Sequence, residues 1–291
     1  MNAACCFGKA GNTKEAARAY KKAFLMDPKN GALFQNFWTV YGADKKRQNE
    51  GIQILKTLVA ARSSAALPLY YLGFLNQALG KKAEARKAFE KVVKSKEGQK
   101  FSSAWVRLGE IYYKEDGDEK KSERHMVKAL EQNPRDEKAS EFLQFLATRA
   151  KNRRDMTRFV EIIKKILKYQ PENGQVWNHL AWHYHSRRQL REALKYYEKA
   201  VKFAPNDAII QTGLGKAYND LNENAAAEAC FKKAIAIDPE HVDALMNLGW
   251  FYRKHGKLEK AKALFERILE IDPGQMRIRR DLEGIKRRLE K

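Results

Sequence analysis

The sequence predicts an all-α solenoid, in which antiparallel helix pairs stack one upon the next. The first observation behind this prediction is a fixed interval of 34 residues between successive prolines, at Pro171, Pro205, Pro239 and Pro273. The second is that apolar residues recur at helical spacing inside each interval. The third is composition, because the 291 residues include only 17 Gly and 7 Pro, so long loops are not expected. A repeated unit that buries only part of its apolar surface needs neighbours on both sides, as a solenoid provides.

Three blocks of 34 residues, 174–207, 208–241 and 242–275, align with one another without gaps. Positions 4, 7, 8 and 11 of each block form one stripe of a first helix, and positions 20, 24 and 27 form the stripe of a second. Small residues at positions 8 and 20 let the two helix axes approach, and a proline at position 32 ends the second helix. In block order, these eight positions hold Trp177, Leu180, Ala181, Tyr184, Ala193, Tyr197, Ala200 and Pro205; Gln211, Leu214, Gly215, Tyr218, Ala227, Phe231, Ala234 and Pro239; and Leu245, Leu248, Gly249, Tyr252, Ala261, Phe265, Ile268 and Pro273.

This pattern resembles the signature of the tetratricopeptide-repeat family. The resemblance implies a right-handed superhelix of helix pairs that holds a partner protein, catalyses no reaction and requires no cofactor. Carried upstream, it divides residues 1–275 into about eight repeats, of which the first is incomplete and the fifth is divergent. The expected bounds are 1–30, 31–65, 66–101, 102–136, 137–173, 174–207, 208–241 and 242–275.

Three upstream blocks depart from the pattern. In block 31–65 we expect Trp38, at position 8, to face Gly51, at position 20, as a large residue set against the smallest one. Block 137–173 is three residues longer, and we expect the basic segment 149–154 to connect its two helices. Counting back from Pro28 puts Met1 at position 5 of its block, so we expect the chain to be a fragment or to begin inside a longer array.

Residues 276–291 are predicted to form a C-terminal capping helix. Their apolar residues make one narrow stripe on an otherwise charged segment, namely Ile278, Leu282, Ile285 and Leu289. Such a helix covers the last repeat with its apolar stripe and presents its charged faces to water. The alternative is a basic amphipathic helix for a membrane or a partner, which the absence of an aromatic anchor disfavours.

In the tetratricopeptide family, positions 2, 5, 9 and 12 of the first helices line the concave groove that contacts the partner. Mapped onto this chain, they describe a nearly neutral groove rich in aromatic and amide side chains, which suit a peptide or helix of a partner protein. Some members hold a C-terminal carboxylate with a lysine at position 5 and an asparagine at position 9, and no complete repeat here has that pair. The candidate partner-binding residues are Tyr70, Phe74, Tyr113, Asn178, Trp182, His185, Lys216, Asn219, Met246, Trp250 and Arg253.

The chain is strongly basic, with a formal net charge of +21 and a pI near 9.8. The excess lies in residues 1–101, 137–207 and 276–291, whereas 102–136 and 208–275 are close to neutral. Many of the lysines fall on second helices, which the resemblance places on the convex face, as in Lys81, Lys82, Lys87, Lys91 and Lys94. One interpretation is a solvated surface that keeps the array soluble. The other is a second binding surface for an acidic protein, an anionic lipid or a nucleic acid.

The sequence offers little support for other chemistry. Cys5, Cys6 and Cys230 have no spacing typical of disulfides or metal ligands. His179, His183 and His185 share one predicted helix, but no Glu or Cys accompanies them at ligand spacing, so helix packing is the simpler interpretation. No phosphate-binding loop, apolar membrane span or signal peptide is evident, and the unpaired cysteines favour a cytoplasmic location.

The leading function is therefore a protein-interaction scaffold or adaptor that binds a peptide or helix in its concave groove. A second hypothesis is an α-solenoid that binds RNA or another polyanion, which the basic charge supports. It is disfavoured because the groove positions vary without the recurring polar residues that read bases. A third is a regulatory or docking domain of a larger enzyme or assembly protein, which the incomplete first repeat would suit.

Overall fold

The computed structural model describes residues 6–7, 10, 12–27, 30–42, 45–61 and 66–290. Among these residues it contains sixteen α-helices, one 3-10 helix at Gly98–Lys100 and no strand, so the all-α prediction is confirmed. The helices are α1 (Thr13–Met26), α2 (Gly31–Tyr41), α3 (Lys45–Ala61), α4 (Ala66–Ala78), α5 (Lys82–Lys94), α6 (Ser102–Asp116), α7 (Glu119–Gln132), α8 (Glu137–Asn152), α9 (Met156–Tyr169), α10 (Gly174–Ser186), α11 (Leu190–Phe203), α12 (Ala208–Asp220), α13 (Asn224–Ile237), α14 (Val242–Lys254), α15 (Leu258–Ile271) and α16 (Met276–Leu289).

The chain divides into two compact units, residues 1–146 and 147–291, with the boundary inside α8. From α1 to α7 and from α9 to α16, consecutive helices pack against each other as the repeat pattern predicts. In the second unit the first helices of successive hairpins also contact one another, α10 with α12 and α12 with α14. The expectations about Met1, Cys5 and Pro28 concern residues outside those that the structure describes.

The hairpins from residue 66 onward share one feature in the turn between their two helices. In each of the six, one residue between the two helices takes a left-handed backbone conformation, with φ between 61° and 72°. Glycine adopts this conformation without steric cost, whereas arginine and asparagine at the same point accept some strain. The six residues are Gly80, Gly117, Arg154, Arg188, Asn222 and Gly256.

The small residue at position 8 faces the aromatic residue at position 24 of the same block. The ring of Phe231 lies against Gly215, and the ring of Phe89 lies against Gly73. Both phenylalanines are fully buried. The glycine thus makes room for a large ring between the two helices, which gives the hairpin a close-packed apolar core.

The expected contact between Trp38 and Gly51 is wrong. Gly51 lies instead against Phe37, Tyr41 and Leu75, and a Cβ atom there would meet each of them within 3.3 Å. Trp38 is half-buried and packs edge-to-face on Phe74, with ring centroids 5.7 Å apart. The apolar stripe that meets Gly51 therefore runs through Phe37 and Tyr41, one turn apart on α2.

The divergent block 137–173 is longer because its first helix is longer. α8 has 16 residues, against 13 in α10, α12 and α14. The basic segment 149–154, which we expected to connect the helices, continues α8 as far as Asn152. Asp155 then caps α9, accepting a hydrogen bond of 3.0 Å from the backbone nitrogen of Arg158. Lys151 accordingly lies on a helix and not in a loop.

The last helix, α16, packs against the final repeat. Ile278, Leu282 and Ile285 are buried in the apolar cluster that includes Phe265. Leu289, the fourth residue of the predicted stripe, is 37% exposed at the end of the helix. The charged faces of α16 carry pairs such as Lys286 with Glu266, 3.3 Å apart.

Candidate partner-binding groove

A cavity of about 600 Å³ opens between the first helices of the second unit. It is lined by side chains of α10 and α12, by the C-terminal part of α8, and by individual residues of α9, α11 and the start of α14. Four of the predicted groove residues line it together, namely Asn178, Trp182, His185 and Lys216. Because these four come from two successive first helices, the repeat geometry alone brings them to one surface.

Trp182 forms an aromatic wall of the cavity. Its ring is half-buried and meets Phe159 edge-to-face, with centroids 6.4 Å apart at an interplanar angle of 81°. The ammonium nitrogen of Lys151 lies 3.6 Å from the centroid of the Trp182 ring, in cation–π geometry. Among the described residues the indole N–H has no hydrogen-bond partner, and Lys151 has no ion pair. A donor and a cation thus stand beside each other at the cavity surface.

Two further groups of the cavity are held by carboxylates. His185 Nε2 lies 3.1 Å from Oδ2 of Asp220, which also pairs with Arg188 at 3.0 Å. The ammonium of Lys216 lies 3.8 Å from a carboxylate oxygen of Asp243, a loose contact at the cavity edge. His185 is therefore oriented, whereas Lys216 keeps its donors largely available.

The floor of the cavity contains Tyr197, from the second helix α11. Only 2% of Tyr197 is exposed, and burial raises the pKa of its hydroxyl to about 12, so the group stays an O–H donor at ordinary pH. Gly213 makes this position possible, because a Cβ atom there would lie 2.5 Å from Cε1 of the tyrosine ring. No hydrogen bond of the Tyr197 hydroxyl is seen within the part of the chain that the structure describes.

The remaining lining combines apolar and neutral groups. Ile209 projects from the start of α12 with 60% of its surface exposed. Thr212 is buried, and its hydroxyl donates to the carbonyl of Ala208 at 2.7 Å. His179 also lines the cavity, and burial together with the nearby charge of Lys151 lowers its pKa, so its imidazole is neutral near pH 7. The cavity is thus mainly apolar and aromatic, with lysines as its cations.

Trp250 and Arg253, two other predicted groove residues, are engaged by the last helix. Nε1 of Trp250 donates to Oδ2 of Asp281 at 2.9 Å, and the guanidinium of Arg253 donates to Oδ1 of the same carboxylate. The guanidinium of Arg277 stacks over the Trp250 ring, 4.5 Å from its centroid. Contact of these residues with a partner stays a prediction, since here they fasten α16 to α14.

Met246 and Asn219 complete the predicted set in the second unit. Met246 is partly buried and packs against the apolar cluster of the last two hairpins. Asn219 is half-buried near the end of α12, and its Oδ1 atom is buried without a hydrogen-bond partner among the described residues. Neither residue lines the cavity.

In the first unit, the predicted residues form two aromatic clusters. Tyr70 and Phe74 pack edge-to-face with centroids 5.1 Å apart, and the guanidinium of Arg107 lies 4.8 Å above Phe74. Tyr113 packs edge-to-face on both Phe142 and Phe145. Phe145 is 43% exposed and stands at position 9 of block 137–173, like Trp182 in its own block. Its repeat position is the sequence signal for it, since the divergent block also places an aromatic residue at position 9.

The three clustered histidines take separate roles. His183 is buried and packs between Phe159 and Tyr184, with ring centroids 5.9 and 5.3 Å away. His185 faces Asp220, and His179 lines the cavity, as described above. Among the described residues, no group of three or more His, Cys, Asp or Glu side chains is arranged to hold a metal ion. Packing thus accounts for His183, as the sequence pattern suggested.

The lysines of the basic second helix α5, and Lys81 just before it, differ in their contacts. Lys82 pairs with Glu115 at 3.1 Å, and Lys81 donates to Asn49 at 3.0 Å. Lys87, Lys91 and Lys94 are exposed. Binding of an acidic partner to this surface stays a prediction.

Repeated helix hairpins with an open, aromatic-lined groove define the class of helical-repeat binding proteins. Comparison of the sequence with known families agrees, because the tetratricopeptide repeat matches at residues 1–30, 69–95, 102–136, 174–207 and 212–275. The chain therefore belongs to the tetratricopeptide-repeat family. A comparison with curated proteins found no match.

Solved structures of the same fold include the C-terminal part of a tetratricopeptide repeat-containing protein from Cytophaga hutchinsonii. It is 18% identical, with a TM-score of 0.54, over 80% of this chain and 95% of that one. A chain of the APC/C hetero-tetramer Cut9-Hcn1 is 15% identical, with a TM-score of 0.50, over 94% of this chain and 52% of that one. This chain thus spans about half the length of the second structure. The first repeat domain of Spaghetti (RPAP3), solved with an HSP90 peptide, is 26% identical over 41% of this chain and 94% of that one, with a TM-score of 0.40.

None of the described helices combines the length and the apolar composition that a membrane span requires.

Proposed function

We propose that the chain is a protein-interaction scaffold, and that the cavity of the second unit holds an extended segment of a partner protein. The observation that carries this proposal is the largely apolar lining of the cavity, in which Ile209 is 60% exposed, Trp182 is half-buried and the buried Phe159 packs against Trp182. Aromatic anchors in a concave surface are the groups that contribute most to protein recognition, because they lose water from a large area on binding.

The polar groups of the cavity fit the same function. Asn178 and the lysines Lys151 and Lys216 surround the apolar lining, and amides can pair with the backbone of an extended peptide. A volume of about 600 Å³ exceeds the size of a single side chain, so the cavity accommodates several consecutive residues of a segment. Repeat arrays present such grooves because each hairpin adds one first helix to the same surface.

The proposal is tested by selecting peptides from a random displayed library against the full chain and measuring their affinity for variants. Ile209→Ser and Trp182→Ala should each weaken binding about tenfold or more, since each removes apolar area from the contact. Met276→Ser is the matched control for Ile209→Ser, because Met276 is also 60% exposed but lies outside the cavity. Trp177→Ala serves in the same way for Trp182→Ala, since Trp177 is a half-buried tryptophan of the same helix.

Thermal unfolding followed by circular dichroism shows whether each variant is folded. Selected peptides that bind the Ile209 and Trp182 variants as tightly as the unmodified chain would refute the assignment of the cavity. Failure of a large library to produce any specific peptide would refute the proposed function itself.

A further inference from the structure

Trp182 and Trp250 stand at the same position of two repeats, yet their indole N–H groups have different surroundings. Each is the ninth residue of its block, and each ring carries a cation on its face, Lys151 at 3.6 Å and Arg277 at 4.5 Å. The N–H of Trp250 donates to the carboxylate of Asp281 at 2.9 Å. The N–H of Trp182 has no partner within the described part of the chain.

The register of the repeats explains this difference. Asp281 follows Trp250 by 31 residues, and the residue that follows Trp182 by the same interval is Gly213. The correspondence holds along the helices, because the buried Ile278, Leu282 and Ile285 of α16 occupy the register of Ile210, Leu214 and Ala217 in α12. The last repeat thus has the carboxylate of Asp281 beside its tryptophan. At the corresponding position beside Trp182 stands Gly213, which has no side chain.

Near Trp182 the cavity also contains a hydrogen-bond donor and a cation, from Tyr197 and Lys151. Tyr197, only 2% exposed as a residue, occupies the space next to Gly213, and its hydroxyl has no hydrogen-bond partner among the described residues. Lys151 supplies a positive charge and has no ion pair with any described residue. His185 is less available, because its Nε2 atom already faces Asp220 at 3.1 Å. Donors without a partner, beside a cation that has no ion pair within the described part of the chain, favour an acceptor that carries negative charge.

We propose that the cavity recognises an aspartate or glutamate side chain of the partner segment, with its carboxylate placed against Trp182 as that of Asp281 is placed against Trp250. This inference rests on the proposed function, because it names the chemistry of the residue that the cavity selects. The carboxylate accepts hydrogen bonds from the indole of Trp182 and the hydroxyl of Tyr197, and Lys151 balances its charge. The site differs from capture of a chain terminus, since its donors are a tryptophan, a tyrosine and a lysine suited to an internal side chain.

The test uses the five tryptophan indole signals of the full chain in ¹H–¹⁵N NMR spectra. The probe is N-acetyl-aspartate N-methylamide, and the matched control is N-acetyl-asparagine N-methylamide, which has the same shape without the charge. The indole signal that is lost in Trp182→Phe should move during titration with the aspartate probe and stay in place with the asparagine probe. The signal of Trp250 should not move with either, because Asp281 already occupies its N–H.

A Lys151→Met variant should reduce the apparent affinity for the aspartate probe about tenfold, since methionine keeps the contact with the ring but removes the charge. An unmoved Trp182 signal, or equal shifts with both probes, would overturn the inference.

The two proposals fail in different ways. If library peptides depend on Ile209 and Trp182 but bind equally well after every Asp and Glu is changed to the amide, the scaffold function stands and carboxylate recognition is wrong. If the aspartate probe moves the Trp182 signal but no peptide depends on the cavity, the cavity binds carboxylates and the proposed function is wrong.

Discussion

The backbone of Gly249 lies against the ring of Phe265 so closely that a Cβ atom at Gly249 would stand 2.3 Å from ring carbon Cε1. The same relationship joins Gly215 to Phe231, where the distance would be 2.6 Å. In both hairpins the glycine is the eighth residue of the block and the phenylalanine the twenty-fourth. The ring fills the space that the missing side chain leaves, so the glycine sets how closely the two helices pack.

Gly249→Ala should therefore destabilise the last repeat although alanine favours helices. Accommodating the added methyl group requires the buried Phe265 ring to move, and overpacking of this kind costs about 1–3 kcal/mol. Urea unfolding followed by circular dichroism measures the change in the free energy of unfolding. Hydrogen exchange of α14 and α15 shows whether the loss of stability is confined to this hairpin. Both measurements are needed because repeat arrays do not always unfold in one step.

The matched control is Gly284→Ala, in the capping helix α16. A Cβ atom at Gly284 has nothing within 4 Å, so alanine should stabilise this helix by about 0.5–1 kcal/mol through its helix propensity. A decrease in the free energy of unfolding for Gly249→Ala and an increase for Gly284→Ala would support the close packing of Gly249 against Phe265. A Gly249→Ala chain as stable as the unmodified one would contradict it.

The sequence could predict which residues form the hairpins, because eight positions in register specify two helices, their facing stripes and the end of the second helix. It could not predict how a divergent helix is rotated. Trp38 follows Phe37 by one residue, which turns its side chain by about 100° around α2, away from the stripe that meets Gly51. An alignment that assigns a position does not determine this rotation when an insertion follows.

In the candidate site, too, the sequence could place some residues and not others. Asn178, Trp182, His185 and Lys216 could be placed on one surface from repeat positions alone, and the structure brings all four to one cavity. Lys151 and Tyr197 could not be placed there. Lys151 lies on a C-terminal extension of α8 that the repeat pattern does not contain, and Tyr197 reaches the cavity past Gly213 from a second helix.

Asp281→Ala should loosen the capping helix, because it removes the acceptor shared by Trp250 and Arg253. Hydrogen bonds to a charged group contribute about 1.5–3 kcal/mol when buried, and this partly exposed carboxylate should contribute about 1–2 kcal/mol. Faster hydrogen exchange in α16, with little change in α10 and α11, is the expected signature.

Glu283→Ala is the control for this substitution, since Glu283 lies on the same helix and faces Arg287 at 3.9 Å in an exposed pair. Such pairs contribute at most about 0.5 kcal/mol, so exchange in α16 should hardly change. Equal effects of the two substitutions would show that Asp281 does not fasten the helix.

Glu228 links α13 to the last hairpin and should make its stability depend on acid pH. Its carboxylate accepts from Lys232 at 2.7 Å, from the Tyr252 hydroxyl at 2.9 Å and from Lys257 at 3.2 Å. The hydrogen bond from Lys232, with those from Tyr252 and Lys257, lowers the pKa of Glu228 from 4.5 to about 2. Because the pKa is lower in the folded chain, these contacts add stability above pH 4.5, and this contribution is lost as the pH falls toward 2.

Glu228→Gln should therefore lower the melting temperature at pH 7, and the gap from the unmodified chain should narrow progressively between pH 4.5 and 2. The substitution keeps the size of the side chain and removes its titration, so a narrowing gap reports the charge and not the packing. Glu240→Gln, at an exposed residue, is the control, and its melting temperature at pH 7 should stay close to that of the unmodified chain. A constant difference in melting temperature across this pH range would mean that Glu228 contributes through its shape alone. Only a group whose pKa differs between the folded and unfolded chain can change stability with pH.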